Sequence, residues 1–260
     1  MTAEDLKVVP LTEPGQVQHA CPCMEEVPTP WPDALGACRD WIAGHLGSLI
    51  EGLHLQQRGG EVIGNMYYGF SERALIPYEI EAGVAILYCE WVQRRHQGHG
   101  YARQLFESLT ERLSRQGTKG ILVEASSGEE GMPYGHLFRA GFKPIEVVGA
   151  RRLMYFPLAQ QSVTARPLKT RIVAQDRQPV EVLAFSGGFC PCETATSLAA
   201  LGVAREFGER VILKEVPITV ENVRAYGTAS GVYVNGRPIP DDGVPEEAIR
   251  QAIRQALERD

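Results

Sequence analysis

The chain has 260 residues, 44% of them hydrophobic and 22% charged. That balance excludes wholesale disorder, and the length suits two domains of ordinary size. A formal net charge of −6 argues against nucleic acid as the main partner. No apolar run approaches the ~20 residues of a membrane span, and the first twenty residues lack the basic start and apolar stretch of a secretory signal. A cytoplasmic protein without membrane contact is expected. Its six cysteines (Cys21, Cys23, Cys38, Cys89, Cys190 and Cys192) are too few for a disulfide scaffold. In a reducing compartment they stay available as ligands, nucleophiles or redox groups.

In chain order, residues 6–11 read as a strand. Residues 34–53 read as a helix, with Leu35, Cys38, Trp41, Ile42, His45, Leu46, Leu49 and Ile50 on one stripe. Strands follow at 53–57 and 61–69 around the turn Arg58-Gly59-Gly60, and a long apolar strand at 83–92. A glycine-bearing turn opens a helix at 100–116, followed by a strand at 120–125. A short helix at 132–140 stops at Gly141, and strands at 142–148 and 151–156 close this part. Residues 157–170 (PLAQQSVTARPLKT) hold two prolines among small polar residues, and a linker is expected at 159–171. Beyond it come a strand at 180–185, a helix at 192–207, a strand at 211–216 and a helix at 220–226. Strands at 231–234 and 237–239 flank the Asn235-Gly236 turn, and a helix at 245–257 ends the chain. That order predicts a small mixed sheet with helices on it.

The most informative stretch is Glu90-Trp91-Val92-Gln93-Arg94-Arg95-His96-Gln97-Gly98-His99-Gly100-Tyr101. A strand runs into a glycine turn and then into an amphipathic helix. The helix start offers unpaired amides and a positive dipole end. Glycines let amides close around phosphate oxygens, and Arg94, Arg95 and Arg103 add charge. No Gly-Lys-Ser/Thr follows, so this is not a nucleotide P-loop, and the third glycine of a dinucleotide fingerprint is absent.

Arg95-x-x-Gly98-x-Gly100 with its apolar helix, the strand at 120–125 and the short helix ending in Gly141-Phe142 resemble the GNAT acyltransferase family over roughly residues 1–156. The resemblance implies a mixed central sheet with helices on both sides. It implies an acyl-CoA pyrophosphate on the turn (Arg94, Arg95, His96, Gln97, Gly98, His99, Gly100, Tyr101) and two parallel strands that splay. The pantetheine would run along the backbone of Trp91, Val92 and Gln93, with Ser126 and Ser127 edging the same cleft. Cys89-Glu90-Trp91-Val92, Gly98-His99-Gly100-Tyr101 and His19-Ala20-Cys21 resemble a subgroup with a C-terminal YoaP-like or thioredoxin-like extension. Where the family often places an acidic tyrosine, this chain has Leu137. Tyr134 and His136 are then the candidates to protonate the departing CoA sulfur, and Glu90, a carboxylate inside an apolar strand, is the candidate base. A packed Tyr134, a solvent-facing His136 and a Glu90 in an ion pair with an arginine are the competing readings.

In the second part, Ser186-Gly187-Gly188-Phe189-Cys190-Pro191-Cys192 joins strand to helix. A helix start stabilises thiolate. This placement, with the order of elements and Val232-Tyr233-Val234-Asn235-Gly236, resembles small thioredoxin-like domains. The Cys-x-Cys spacing departs from the usual Cys-x-x-Cys, and Ser230 stands where the resemblance implies a cis-proline. Redox exchange, soft-metal or metalloid binding and a vestigial pair all remain open for Cys190 and Cys192. His19, Cys21, Cys23 and Cys38 form a candidate zinc set, against which stands plain packing of Cys38 on its helix stripe.

The expectation is an α/β protein with a GNAT domain at 1–158, a linker at 159–171 and a thioredoxin-like domain at 172–260. It would use acetyl-CoA to acetylate an amine on a small molecule or peptide. The alternative is a soft-metal, metalloid or thiol-redox protein built on the two Cys-Pro-Cys segments.

Overall fold

The computed structural model describes residues 6–24, 31–126, 132–149, 151–239 and 246–259. The chain divides into two compact units. The first takes residues 1–25, 43–74 and 78–167, and the second takes 26–42, 75–77 and 168–260.

The elements of the first part are β1 (Leu6–Leu11), α1 (Pro32–His45), β2 (Glu51–Gln57), β3 (Val62–Phe70), β4 (Tyr78–Ile80) and β5 (Ala85–Val92). They continue with α2 (Tyr101–Arg115), β6 (Gly120–Ser126), α3 (Tyr134–Arg139), β7 (Lys143–Val148), β8 (Arg151–Pro157) and β9 (Ala165–Pro167). A seven-stranded sheet forms in the order β1-β2-β3-β5-β6-β8-β7. Only β5 and β6 run parallel in it. One face carries α2, whose Leu105, Leu109 and Leu113 recur every four residues, are fully buried, and join a core with Leu53, Leu55, Met66 and Val92. Each such burial contributes about 1.5–3 kcal/mol, so α2 is fixed firmly behind β5.

Two departures from the sequence expectation have local causes. The helix expected over 34–53 ends at His45. Gly47 takes a left-handed φ of +74, its amide reaches the Ile50 carbonyl, and the apolar residues beyond it start β2. Within the expected linker, residues 165–167 form β9, which pairs antiparallel with β4. The tie is reinforced where Glu81 accepts from the Thr164 amide and from Lys119.

The second unit contains β10 (Val180–Ser186), α4 (Pro191–Glu206), β11 (Val211–Pro217), α5 (Val220–Tyr226), β12 (Val232–Val234), β13 (Arg237–Pro238) and α6 (Glu246–Leu257). The sheet order is β11-β10-β12-β13, with β10 parallel to β11 and antiparallel to β12. Ala199, Ala200, Val203 and Ala204 of α4 and Ile249 and Ile253 of α6 bury against Val180, Val182 and Val234. Thr219 caps α5 by accepting from the Asn222 amide at 3.1 Å. Gly227 ends that helix at φ +68, where a Cβ would stand 2.1 Å from the Lys169 carbonyl oxygen. Gly202, exposed on α4, has nothing within 4 Å of such a Cβ.

These two glycines give opposite expectations. Gly227→Ala is expected to destabilise the second unit by about 1–3 kcal/mol. Gly202→Ala is expected to stabilise it by about 0.5–1 kcal/mol. Urea midpoints followed through the far-UV signal measure both, and a shift of the same sign in the two variants contradicts the assignment.

Candidate active site

β5 leaves the sheet through a 3-10 turn at Arg94–His96 and enters α2 through Gly98-His99-Gly100. Both glycines hold φ +80, and a Cβ on either would meet open space. Glycine is needed there for backbone conformation, not for want of room. Among the described residues the amides of Gly98, His99 and Gly100 donate to nothing, and α2's first internal bond is Gln104 N–H to Gly100 O. A run of donors therefore faces outward at the helix start.

The turn is pinned from within. Gln97 Nε2 donates to the Val92 carbonyl at 2.9 Å, and His99 Nδ1 lies 2.9 Å from the Gln97 carbonyl, so that nitrogen carries the proton. The His99 ring stacks on Tyr101 at 5.6 Å. Two of the expected phosphate-pairing arginines have carboxylate partners of their own: Arg95 meets Glu61, and Arg103 meets Glu107 at 2.8 Å. Both pairs are exposed, so they are weak and exchangeable.

Beside the turn the sheet opens. β5 and β6 are paired at Ala85↔Ile121 and Ile86↔Leu122, and their ladder stops there. On the other side β5 stays on β3, with Tyr88 as an extra, bulged residue between Tyr67↔Cys89 and Tyr68↔Leu87. The Gln93 amide donates to Ile63 O at 2.8 Å. In an antiparallel ladder the backbone groups then alternate, so residues 91 and 93 serve β3 while the amides of Glu90 and Val92 point into the opening. Of the three residues expected along the pantetheine, only Val92 turns its amide that way. Ser126 ends β6 on the far side of the opening, with its amide on Met132 O at 3.1 Å. Ser127 lies outside the described residues.

The opening also joins two candidates that sequence kept apart. His136 Nε2 on α3 is 3.0 Å from Glu90 Oε1 on β5. The Glu90 side chain is 8% exposed and that of His136 41%. The bond to Glu90 raises the His136 pKa above the ordinary histidine value, against a smaller opposing effect of burial. Glu90 is thus paired with a histidine, where an arginine was the competing expectation. Tyr134 is half-buried, with the Arg152 guanidinium 4.2 Å over its ring, and Leu137 is buried in the core.

The candidate zinc set is divided between the two units. Cys21 belongs to the first unit, is buried at φ +59, and donates its amide to Tyr67 Oη at 3.2 Å. Cys38 belongs to the second unit, where its Sγ lies 3.1 Å from Thr194 Oγ1. Among the described residues no group of three or more His, Cys, Asp or Glu side chains is arranged to hold a metal ion. The residues around Cys21 form instead a buried polar network that sequence reasoning missed. Tyr67 Oη is 3.5 Å from His54 Nε2, and Asn65 Nδ2 is 3.7 Å from Cys89 Sγ. Burial, then nearby His19, pushes His54 down to about 4, and burial pushes the Tyr67 phenol up. His54 and Tyr67 are therefore both neutral near pH 7.

In the second unit Cys190 is the N-cap of α4 and Pro191 its first residue. The helix start was expected to favour thiolate at this pair. Cys190 shifts the other way: its pKa is raised, first by the hydrogen bond with Cys192 and then by burial. Ser230 precedes Gly231 (φ +108) at the entry to β12.

No family model and no curated protein matches the chain. Similar solved structures include a Desulfovibrio desulfuricans protein assigned to the GNAT acetyltransferases, at 16% identity over 59% of this chain and 99% of that one, TM-score 0.49. Another is the GNAT family N-acetyltransferase YhbS of Escherichia coli in complex with CoA, at 16% identity over 60% and 82%, TM-score 0.43. A third is the PaiA N-acetyltransferase of Thermoplasma acidophilum in complex with coenzyme A, at 10% identity over 60% and 99%, TM-score 0.41.

Proposed function

We propose that the first unit is an acetyl-CoA-dependent N-acetyltransferase acting on an amine of a small molecule or peptide. The observation that carries this is the early end of β5–β6 pairing directly beside the Gly98–Gly100 turn. Together they offer a slot with backbone donors along one wall and an anion-binding helix start at its mouth. That shape suits a long, mostly uncharged thioester with a pyrophosphate at one end.

Acetyl-CoA supplies an activated acyl group. The chain's part is to hold it and to move protons. The amides of Gly98, His99 and Gly100 would take pyrophosphate oxygens, with Arg94, Arg95 and Arg103 at the rim. The Glu90 and Val92 amides would hold the pantetheine and the carbonyl oxygen that gains charge as the amine attacks. As the C–N bond forms and the C–S bond breaks, one proton must leave nitrogen and one must reach sulfur. Neutral His136 can take the first, and the Glu90 carboxylate 3.0 Å away would stabilise the imidazolium. The same imidazolium, or Tyr134, would then protonate the departing thiolate.

The second unit reads best as a thioredoxin-like accessory module. Its strand–helix–strand–helix–hairpin–helix order and the thiols at the start of α4 support that reading. Among the described residues no helix is long and apolar enough to cross a membrane.

Two experiments test the transferase. Calorimetry should show acetyl-CoA binding to the wild type and a loss of about 10–100-fold in Gly98→Val and Gly100→Val, since Val cannot hold φ +80 cheaply. Absence of binding in the wild type, together with no CoA release across a panel of primary amines, defeats the proposal.

The ion pair has its own signature. In NMR titration the His136 midpoint should lie above the ordinary 6.5 and drop in Glu90→Gln. A histidine pKa raised by folding stabilises the protein below the unfolded value. That stabilisation is lost as pH rises through the folded value. The stability gap between wild type and Glu90→Gln should therefore be widest below pH ~6.5 and close at higher pH. A gap that widens with rising pH contradicts the pairing.

A further inference from the structure

No step of acetyl transfer uses Cys190 or Cys192. Their thiols are nonetheless held side by side. Cys190 caps α4, Pro191 fixes the backbone of the first turn, and Cys192 follows, so the two thiols share a hydrogen bond. Neither is in a disulfide; Cys192 is exposed and Cys190 half-buried. Two half-buried aromatic rings belong to the same stretch of the unit, Phe189 directly before Cys190 in the chain and Trp41 beside Gly187. Trp41 and Phe189 lie 6.4 Å apart, and a Cβ on Gly187 would stand 3.1 Å from Trp41 Cδ1.

What two such thiols can hold follows from coordination chemistry. Zinc in a structural site takes four protein ligands. Among the described residues no third His, Cys, Asp or Glu joins the pair in a metal-holding group. Cys38, on the same unit, is fully buried and bonded to Thr194. A linear sulfur–metal–sulfur bridge needs its sulfurs at opposite ends, farther apart than thiols that share a proton. Trivalent arsenic is soft and pyramidal. It takes two sulfurs on one side and keeps its own carbon substituent as third ligand.

We propose that Cys190 and Cys192 form a dithiol site for trivalent organoarsenicals, with Trp41 and Phe189 beside the organic substituent. Binding exchanges two arsenic–oxygen bonds of the hydrated arsenical for two arsenic–sulfur bonds. Each thiol proton leaves with a hydroxide as water, and arsenic stays trivalent. The Cys21-Pro22-Cys23 segment has the same spelling but not the same access, because Cys21 is 3% exposed with its amide tied to Tyr67.

The test is titration of the reduced full-length chain with phenylarsine oxide, read by intact mass and by counting free thiols. A one-to-one adduct that consumes two thiols is expected. It should map by peptide mass spectrometry to the segment holding Cys190 and Cys192, survive excess glutathione, and be removed by dimercaptopropanol. Cys190→Ser and Cys192→Ser should each weaken binding about 100-fold, the scale of a lost chelate arm. The double variant Cys21→Ser/Cys23→Ser should bind as the wild type does. No adduct, an adduct mapped elsewhere, or one stripped by glutathione overturns the site. Peptide mapping on the wild type keeps the outcome independent of whether the serine variants fold. Neither readout depends on acetyl-CoA, so the site and the transferase stand or fall separately.

Discussion

The first unit depends on a strand pair that stops pairing. β5 and β6 run parallel in an otherwise antiparallel sheet, and their register ends after two residue pairs. Backbone groups deprived of a ladder must find other partners or pay desolvation. On β5 the alternation set by Gln93 and Ile63 decides which groups are deprived: those of Glu90 and Val92. The Val92 carbonyl is answered by the Gln97 side chain, which also fixes the glycine turn. The opening and the turn are thus one construction, since the residue that satisfies the strand end also belongs to the glycine turn.

Glu90 gains its meaning from the same opening. A carboxylate on a strand packed on both sides would cost several kcal/mol to bury unpaired. Here α3 delivers His136 to it, leaving the imidazole 41% exposed toward solvent while Glu90 stays nearly covered. The buried carboxylate fixes the imidazole, and the imidazole stays reachable from solvent. That division of labour is common wherever a carboxylate holds a histidine.

Much of this was legible in the sequence. Strand and helix periods located nearly every element, because faces such as Leu105, Leu109 and Leu113 are spaced as a helix demands. The turn could be read because glycine at 98 and 100 is a local requirement. Pairings between distant residues could not. Glu90 and His136 are 46 positions apart, and nothing in either neighbourhood names the other. β4 and β9 have three residues each, too few to show a period. The end of α1 was misplaced because the apolar spacing runs on past Gly47, and a left-handed glycine outweighs it. Glu61 as partner of Arg95 was missed for the same reason as His136: charge pairing is set by the fold, not by spacing.

The two Cys-Pro-Cys segments show how little a motif says without its surroundings. Around Cys21 the backbone is committed to Tyr67, the thiol is covered, and burial keeps neighbouring His54 and Tyr67 neutral. Those are conditions for packing, since a covered thiol meets no reactant. Around Cys190 the same three letters start a helix at the surface, and Cys192 stands in solvent. The helix start alone would lower a thiol pKa, yet the neighbour's hydrogen bond and burial outweigh it for Cys190. A thiol held protonated is a poor lone nucleophile, so the exposed Cys192 sulfur is the one that meets a reactant first.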